Sequence, residues 1–172
     1  AIKYSQYIDV VYETTKKYKF ENLRAYKMVF AQGNWYLVVH SDDELNNGVK
    51  FLRLNFIKSI NVKKTTFKKD KEILEFLKTF QSLMSEFGAK KQEVIVFVDK
   101  EVQRYFKVKK FLSSQTILKE TNDGLIIRYY ITGENEILFL VKEWLPHMKI
   151  LSPASLQDKL QNLINEFLKG KK

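Results

Sequence analysis

The chain is predicted to be an α+β protein. A small closed or partly closed β-barrel comes first, then a linking helix, then a ferredoxin-like βαββαβα domain. Three observations carry that expectation. Stretches of period-two alternation joined by Gly- and Asn-bearing turns fill the first third of the chain. Ile73, Leu77, Phe80, Met84 and Phe87 then repeat at helical spacing as one apolar stripe. Beyond it, strand and helix signatures alternate in the order β-α-β-β-α-β-α. The expected boundaries are 1–68 for the barrel, 69–91 for the linking helix and connector, and 92–172 for the last domain.

In the first part, Ile8, Val10 and Tyr12 alternate with Asp9, Val11 and Glu13 as a strand, and Thr14 to Lys19 reads as a basic turn. A strand from about Phe20 to Ala31 is expected to return through a Gly33-Asn34 hairpin turn and run on to His40. In that register Gln32 faces Trp35, Phe30 faces Leu37, Met28 faces Val39 and Lys27 faces His40. Met28, Phe30, Leu37 and Val39 then form an apolar face, with Trp35 in the core. Lys27, Tyr36 and His40 stand on the other. Ser41 to Gly48 is an acidic loop with strong turn chemistry. Val49 to Val62 is read as one bent β stretch, with Leu52 and Leu54 on one face and Phe51, Arg53 and Asn55 opposite. Lys63 to Lys69 is a basic connector.

Asp70 is suited to cap the following helix and Gly88 to close it. The apolar run Val94 to Val98 suits a central strand, and Asp99 a cap for a short helix carrying Val102, Tyr105 and Phe106. Asn122-Asp123-Gly124 predicts a hairpin between Thr116–Lys119 and Leu125–Thr132. Glu134 to Leu145 reads as a helix ended by Pro146, and Met148 to Leu151 as a strand. Ser152-Pro153 opens a final helix with its stripe at Leu156, Leu160, Leu163, Ile164 and Phe167, before Gly170.

Composition narrows function. Of the 172 residues, 45% are hydrophobic and 14% aromatic, enough to build cores. There is no cysteine, which excludes disulfides and thiolate metal sites and fits a reducing compartment. No apolar run reaches the roughly 18 residues of a membrane span, and no secretion signal opens the chain, so the expected location is the cytoplasm. The net charge is +10, of which +7 falls in residues 1–71. That bias fits a polyanionic partner such as nucleic acid and plain lysine-rich solubility equally, and charge alone does not decide between them.

Catalytic chemistry is not expected. The six glycines are dispersed and form no phosphate loop. His40 and His147 fall in different predicted domains, with no carboxylate at metal-ligand spacing. Asp42-Asp43-Glu44 reads as a solvated loop, and no nucleophile has an activating neighbour. No catalytic residue, metal or cofactor is therefore assigned.

The candidate site is a set of anion-binding and aromatic groups on strands. Arg53 leads, because a guanidinium grips a phosphate with two hydrogen bonds; the alternative is an ion pair inside the barrel. Tyr36 offers a stacking face and a hydroxyl, against half-buried packing. His40 and Lys27 join by register, against plain solvated strand positions. Arg24 and Tyr26 lie one strand position further out. A handful of such groups suits a short oligonucleotide or a nucleotide.

Trp35-Tyr36-Leu37, the opening strand Ile8-Asp9-Val10-Val11-Tyr12, and Phe51-Leu52-Arg53-Leu54-Asn55-Phe56-Ile57 together resemble the WYL domain of bacterial transcription regulators, which implies that the barrel is Sm-like or SH3-like. The family's first arginine is kept as Arg53; its aspartate has become Asn55, its second arginine Phe56, and the usual proline before the hairpin Tyr26. Ser114-Gln115, Asn122-Asp123-Gly124 and Leu151-Ser152-Pro153 with Leu156 resemble the WCX extension that often follows WYL domains. The resemblance implies a ligand-sensing module that responds to single-stranded DNA or a nucleotide and forms a homodimer partly through that extension. Duplex DNA would be met only through a winged helix-turn-helix, which these 172 residues do not contain. The start at Ala1 without Met favours a fragment of such a regulator. Tyr36 and Arg53 carry over as pocket residues. The competing expectations are an interaction or dimerisation module with no ligand of its own, and an enzyme acting on nucleic acid.

Overall fold

The structure, a computed structural model, describes residues 1–43 and 47–170. It divides into two compact units, Ala1–Leu83 and Met84–Lys172. The division falls inside the stretch expected to link two domains, and the helix of that stretch belongs to the first unit.

The first unit is an antiparallel sheet of β1 (Gln6–Glu13), β2 (Lys17–Ala31), β3 (Asn34–Ser41), β4 (Gly48–Arg53) and β5 (Ile57–Thr66). The paired order is β4-β3-β2-β1-β5, with no ladder between β4 and β5 among the described residues. Ile8, Val10, Leu23, Ala25, Leu37, Val39 and Leu52 make its core. Each fully buried side chain of this kind contributes about 1.5–3 kcal/mol, before the entropy of ordering it is counted.

The hairpin differs from the expected one. Its two turn residues are Gln32 and Gly33, at φ +48° and +73°, the pair of positive φ values that a strand-matching two-residue turn demands. Asn34 is already in β3 and donates its side-chain amide to the Gln32 carbonyl at 2.8 Å. The ladder is thus two residues off the expected register: Phe30 pairs with Trp35, Met28 with Leu37 and Lys27 with Val38.

A bulge between Ala25 and Lys27 then resets the alternation. Leu23 and Ala25 join the core face of Leu37 and Val39, and His40 comes opposite Arg24 instead of Lys27. Trp35 is not a core residue. It is 50% exposed beside Phe30, their rings 5.3 Å apart. The reason is topological: β1 pairs with β2 only as far as Arg24, and β4 with β3 only as far as Tyr36, so the hairpin tip outruns its neighbours.

The single bent stretch expected over 49–62 is two strands separated by a one-turn 3₁₀ helix, Leu54–Phe56. β5 runs on to Thr66 and absorbs much of the basic connector. The acidic loop falls in part on residues 44–46, which lie outside the described residues.

Helix α1 (Lys71–Thr79) is capped as expected, the Asp70 carboxylate accepting from the Glu72 N–H at 2.7 Å. It stops nine residues short of Gly88. The Thr79 hydroxyl donates back to the Glu75 carbonyl at 3.1 Å, which competes with helical continuation. Phe80 turns into extended backbone and packs on Phe51 and Phe76, ring centroids 5.5 and 6.0 Å away.

The second unit follows the expected element order: β6 (Gln92–Asp99), α2 (Gln103–Val108), β7 (Thr116–Thr121), β8 (Gly124–Ile131), α3 (Glu134–Glu143), β9 (Met148–Ser152) and α4 (Ala154–Lys169). Its sheet is antiparallel in the order β7-β8-β6-β9. Val94, Val96 and Val98 of the central strand are wholly buried, as the apolar run requires. Asp99 does not cap α2, whose N-cap is Val102; its Oδ1 accepts from the Glu101 N–H instead, at 2.9 Å. In the β7–β8 hairpin the turn is Asn122-Asp123, and Gly124 opens β8.

Glu136, 3% exposed, caps the start of α3 by accepting from the Thr132 and Gly133 N–H groups at 2.8 and 3.0 Å and from the Thr132 hydroxyl at 3.0 Å. Glu136→Ala is expected to destabilise the second unit by about 1–3 kcal/mol in urea melts, because it orphans those donors. On α4, Leu156 and Leu160 are buried while Phe167 is 83% exposed, so the predicted stripe outruns the core. No helix among the described residues is long and apolar enough to cross a membrane.

Candidate ligand site on the first sheet

Tyr36 and Arg53 are direct cross-strand partners in the β3–β4 ladder, so their side chains leave the same face of the sheet. Both are half-buried. The Arg53 guanidinium lies 5.2 Å from the centroid of the Phe56 ring, which in turn meets Tyr12 edge-on at 5.9 Å. Phe56 thus sets an aromatic ring beside Arg53. No carboxylate among the described residues forms an ion pair with Arg53, and its Nε is buried without a partner. A guanidinium beside an aromatic ring, with no ion pair among the described residues, has donors to offer an anion.

The other four predicted residues are engaged. Tyr26 is 4% exposed, accepts from the Asp70 N–H at 3.3 Å and packs on Phe67, ring centroids 5.6 Å apart. Lys27 donates to the Leu77 carbonyl at 3.0 Å and lies 5.3 Å over the Phe80 ring. These bonds fasten the bulge to both ends of α1. Arg24 binds the carboxylate of Asp42 and lies 2.9 Å from His40 Nδ1, which is 3.3 Å from Asp42. His40 itself is 7% exposed. The structure therefore places Tyr36 and Arg53 side by side, both half-buried, and Arg24, Tyr26, Lys27 and His40 in the packing that supports the sheet.

Burial, and next the positive charge of Arg24, hold the His40 imidazole below its ordinary value of 6.5, with Asp42 opposing. A lowered histidine favours the neutral ring in the fold. Its contribution is present above the unfolded value near 6.5 and is lost as pH falls through the lower folded value. The expected NMR titration midpoint of His40 therefore lies below 6.5. Thermal melts should show the first unit weakening below that pH, and less so in His40→Gln.

Sequence reasoning missed a second cluster. His147 Nδ1 lies 2.7 Å from Asp99 Oδ2 and 3.7 Å from Glu101 Oε2. Spacing along the chain hides it, because 48 residues separate Asp99 from His147. The antiparallel β6–β9 pairing closes that distance. The signal was present in the expected topology, where the end of the 94–98 strand meets the start of the 148–151 strand.

Fold and site together describe an α+β protein of two units whose first sheet carries a cation and a phenol side by side. Residues 90–168 match the family model of the WCX domain. The crystal structure of a CRISPR Cas-related protein shares the fold, with a TM-score of 0.63 at 14% identity over 98% of this chain and 48% of that one. The chain thus spans about half the length of that structure. Proteasome accessory factor B/C of Arthrobacter aurescens aligns at a TM-score of 0.37 and 13% identity, over 96% of this chain and 25% of that one, too remote to build on. No curated protein matches the chain.

Proposed function

We propose that the chain is the effector-binding and dimerisation region of a WYL-type transcription regulator, without catalytic activity, and that it holds single-stranded DNA or a nucleotide at Tyr36 and Arg53. The observation that carries this reading is the cross-strand Tyr36–Arg53 pair, with the guanidinium on Phe56 and free of ion pairing among the described residues. The WCX match over residues 90–168 supports the family. In this reading the first sheet is an Sm-like barrel. The second unit is ferredoxin-like, which its β7-β8-β6-β9 order supports.

Each phosphate held should release counterions, lowering log K by ~0.7 per decade of salt for a single strand. Fluorescence anisotropy of a short labelled oligonucleotide against rising salt tests this. Saturable, salt-sensitive binding is expected; no binding of any oligonucleotide or nucleotide at low salt would remove the proposal.

A second reading, an interaction module without a ligand, is favoured by the exposed tip of Met28, Phe30 and Trp35. It predicts a dimer by light scattering that persists in Arg53→Ala and no oligonucleotide binding.

A further inference from the structure

We propose that Asp99, Glu101 and His147 form a site for a first-row divalent transition cation, with zinc as its reference ion. The site lies in the second unit and does not depend on the ligand reading of the first. One donor atom from each residue falls within 4.8 Å of the others. Zinc bonds of roughly 2.0–2.2 Å in tetrahedral geometry set donor–donor separations near 3.3 Å. The observed His147 separations of 2.7 and 3.7 Å straddle that value, so small side-chain rotations suffice to bind.

The backbone already holds the set in place. The Asp99 N–H donates to the His147 carbonyl at 3.0 Å, tying the end of β6 to the residue before β9. The Glu101 N–H occupies Asp99 Oδ1 and leaves Oδ2 turned toward His147, the outer-shell arrangement that orients a ligating carboxylate.

Side chains of Asp99 and His147 are about one third exposed and that of Glu101 is 70% exposed, so ions have access and a water can fill the fourth position. One imidazole with two carboxylates suits zinc. Three protein donors fall short of the six or more oxygens calcium prefers, and magnesium seldom takes imidazole. Without a cation the same atoms form a histidine–carboxylate pair.

The test is isothermal titration of the full chain with zinc chloride, repeated on His147→Ala, Asp99→Asn, Glu101→Gln and, as a control, His40→Gln. One zinc per chain is expected. Its affinity should fall more than about tenfold in the first two variants, the scale that even outer-shell partners contribute. Glu101→Gln should show a smaller loss and His40→Gln none. Circular dichroism separates lost ligation from lost folding, and Glu101→Gln, which removes no backbone contact, keeps the test open if Asp99→Asn unfolds. No zinc uptake, uptake unchanged in His147→Ala, or displacement by equimolar magnesium would each overturn the site.

Discussion

Arg53→Ala is expected to lower affinity for a short single-stranded oligonucleotide roughly tenfold to a hundredfold, the range given by hydrogen bonds to a charged group worth about 1.5–3 kcal/mol. The fold is expected to survive, because Arg53 makes no ion pair among the described residues and only its stacking on Phe56 is lost. Arg53→Lys should restore part of the charge and little of the affinity, since an ammonium has neither the fork nor the planar face of a guanidinium. Tyr36→Ala removes stacking worth about 1–3 kcal/mol per base, whereas Tyr36→Phe removes the hydroxyl alone. Lys27→Ala and Arg24→Ala are expected to act through stability instead, because their partners are the Leu77 carbonyl and Asp42. Anisotropy beside thermal melts separates the two outcomes. Equal affinity loss in all four positions, tracking stability, would deny Tyr36 and Arg53 a special role.

Gly124→Ala is expected to be the most damaging single methyl in the second unit. Gly124 sits at φ +152°, and a Cβ there would meet the Val98 carbonyl oxygen at 2.0 Å and Asp99 Cα at 2.9 Å. Both are backbone atoms of the central strand, so no side chain can swing aside. Overpacking of this kind costs on the order of 3 kcal/mol. In a unit of this size that lowers the melting midpoint by roughly 10–20 °C. Gly88→Ala is the matched comparison: φ is +77° but nothing lies within 4 Å, and the expected loss is only about 1–2 kcal/mol of backbone strain. Equal melting shifts in the two variants would show that the approach of Gly124 to β6 is not tight.

The second unit was far more legible in the sequence than the first. Val94 to Val98 is apolar on both faces, Asn122-Asp123-Gly124 has one plausible turn chemistry, and Pro146 stops a helix whatever surrounds it. Each is a local signal. The β2–β3 hairpin is not local in that sense. Gly33 allows a turn with either neighbour, and choosing Asn34 over Gln32 moved the pairing by two residues. The bulge at Tyr26 leaves no mark in hydrophobic alternation, yet it decides which of Arg24, Tyr26 and Lys27 face the helix. The Tyr36–Arg53 juxtaposition was reached through motif likeness and strand parity, and the ladder places the two residues as neighbours. The occupation of Lys27 was not legible, because α1 ends where tertiary packing of Phe80, not apolar periodicity, ends it, and that of His40 follows from its place opposite Arg24, which the bulge sets.

The chain has two tryptophans, and each unit holds one. Trp35 is half-open to water beside Phe30, while Trp144 is half-buried against Tyr105, Phe106 and Phe111 at centroid distances of 5.0 to 5.5 Å. Emission from the first should be red-shifted and quenched by iodide; emission from the second should be blue and shielded. Intrinsic fluorescence therefore reports on the two halves separately, and loosening of either can be followed without attaching a dye.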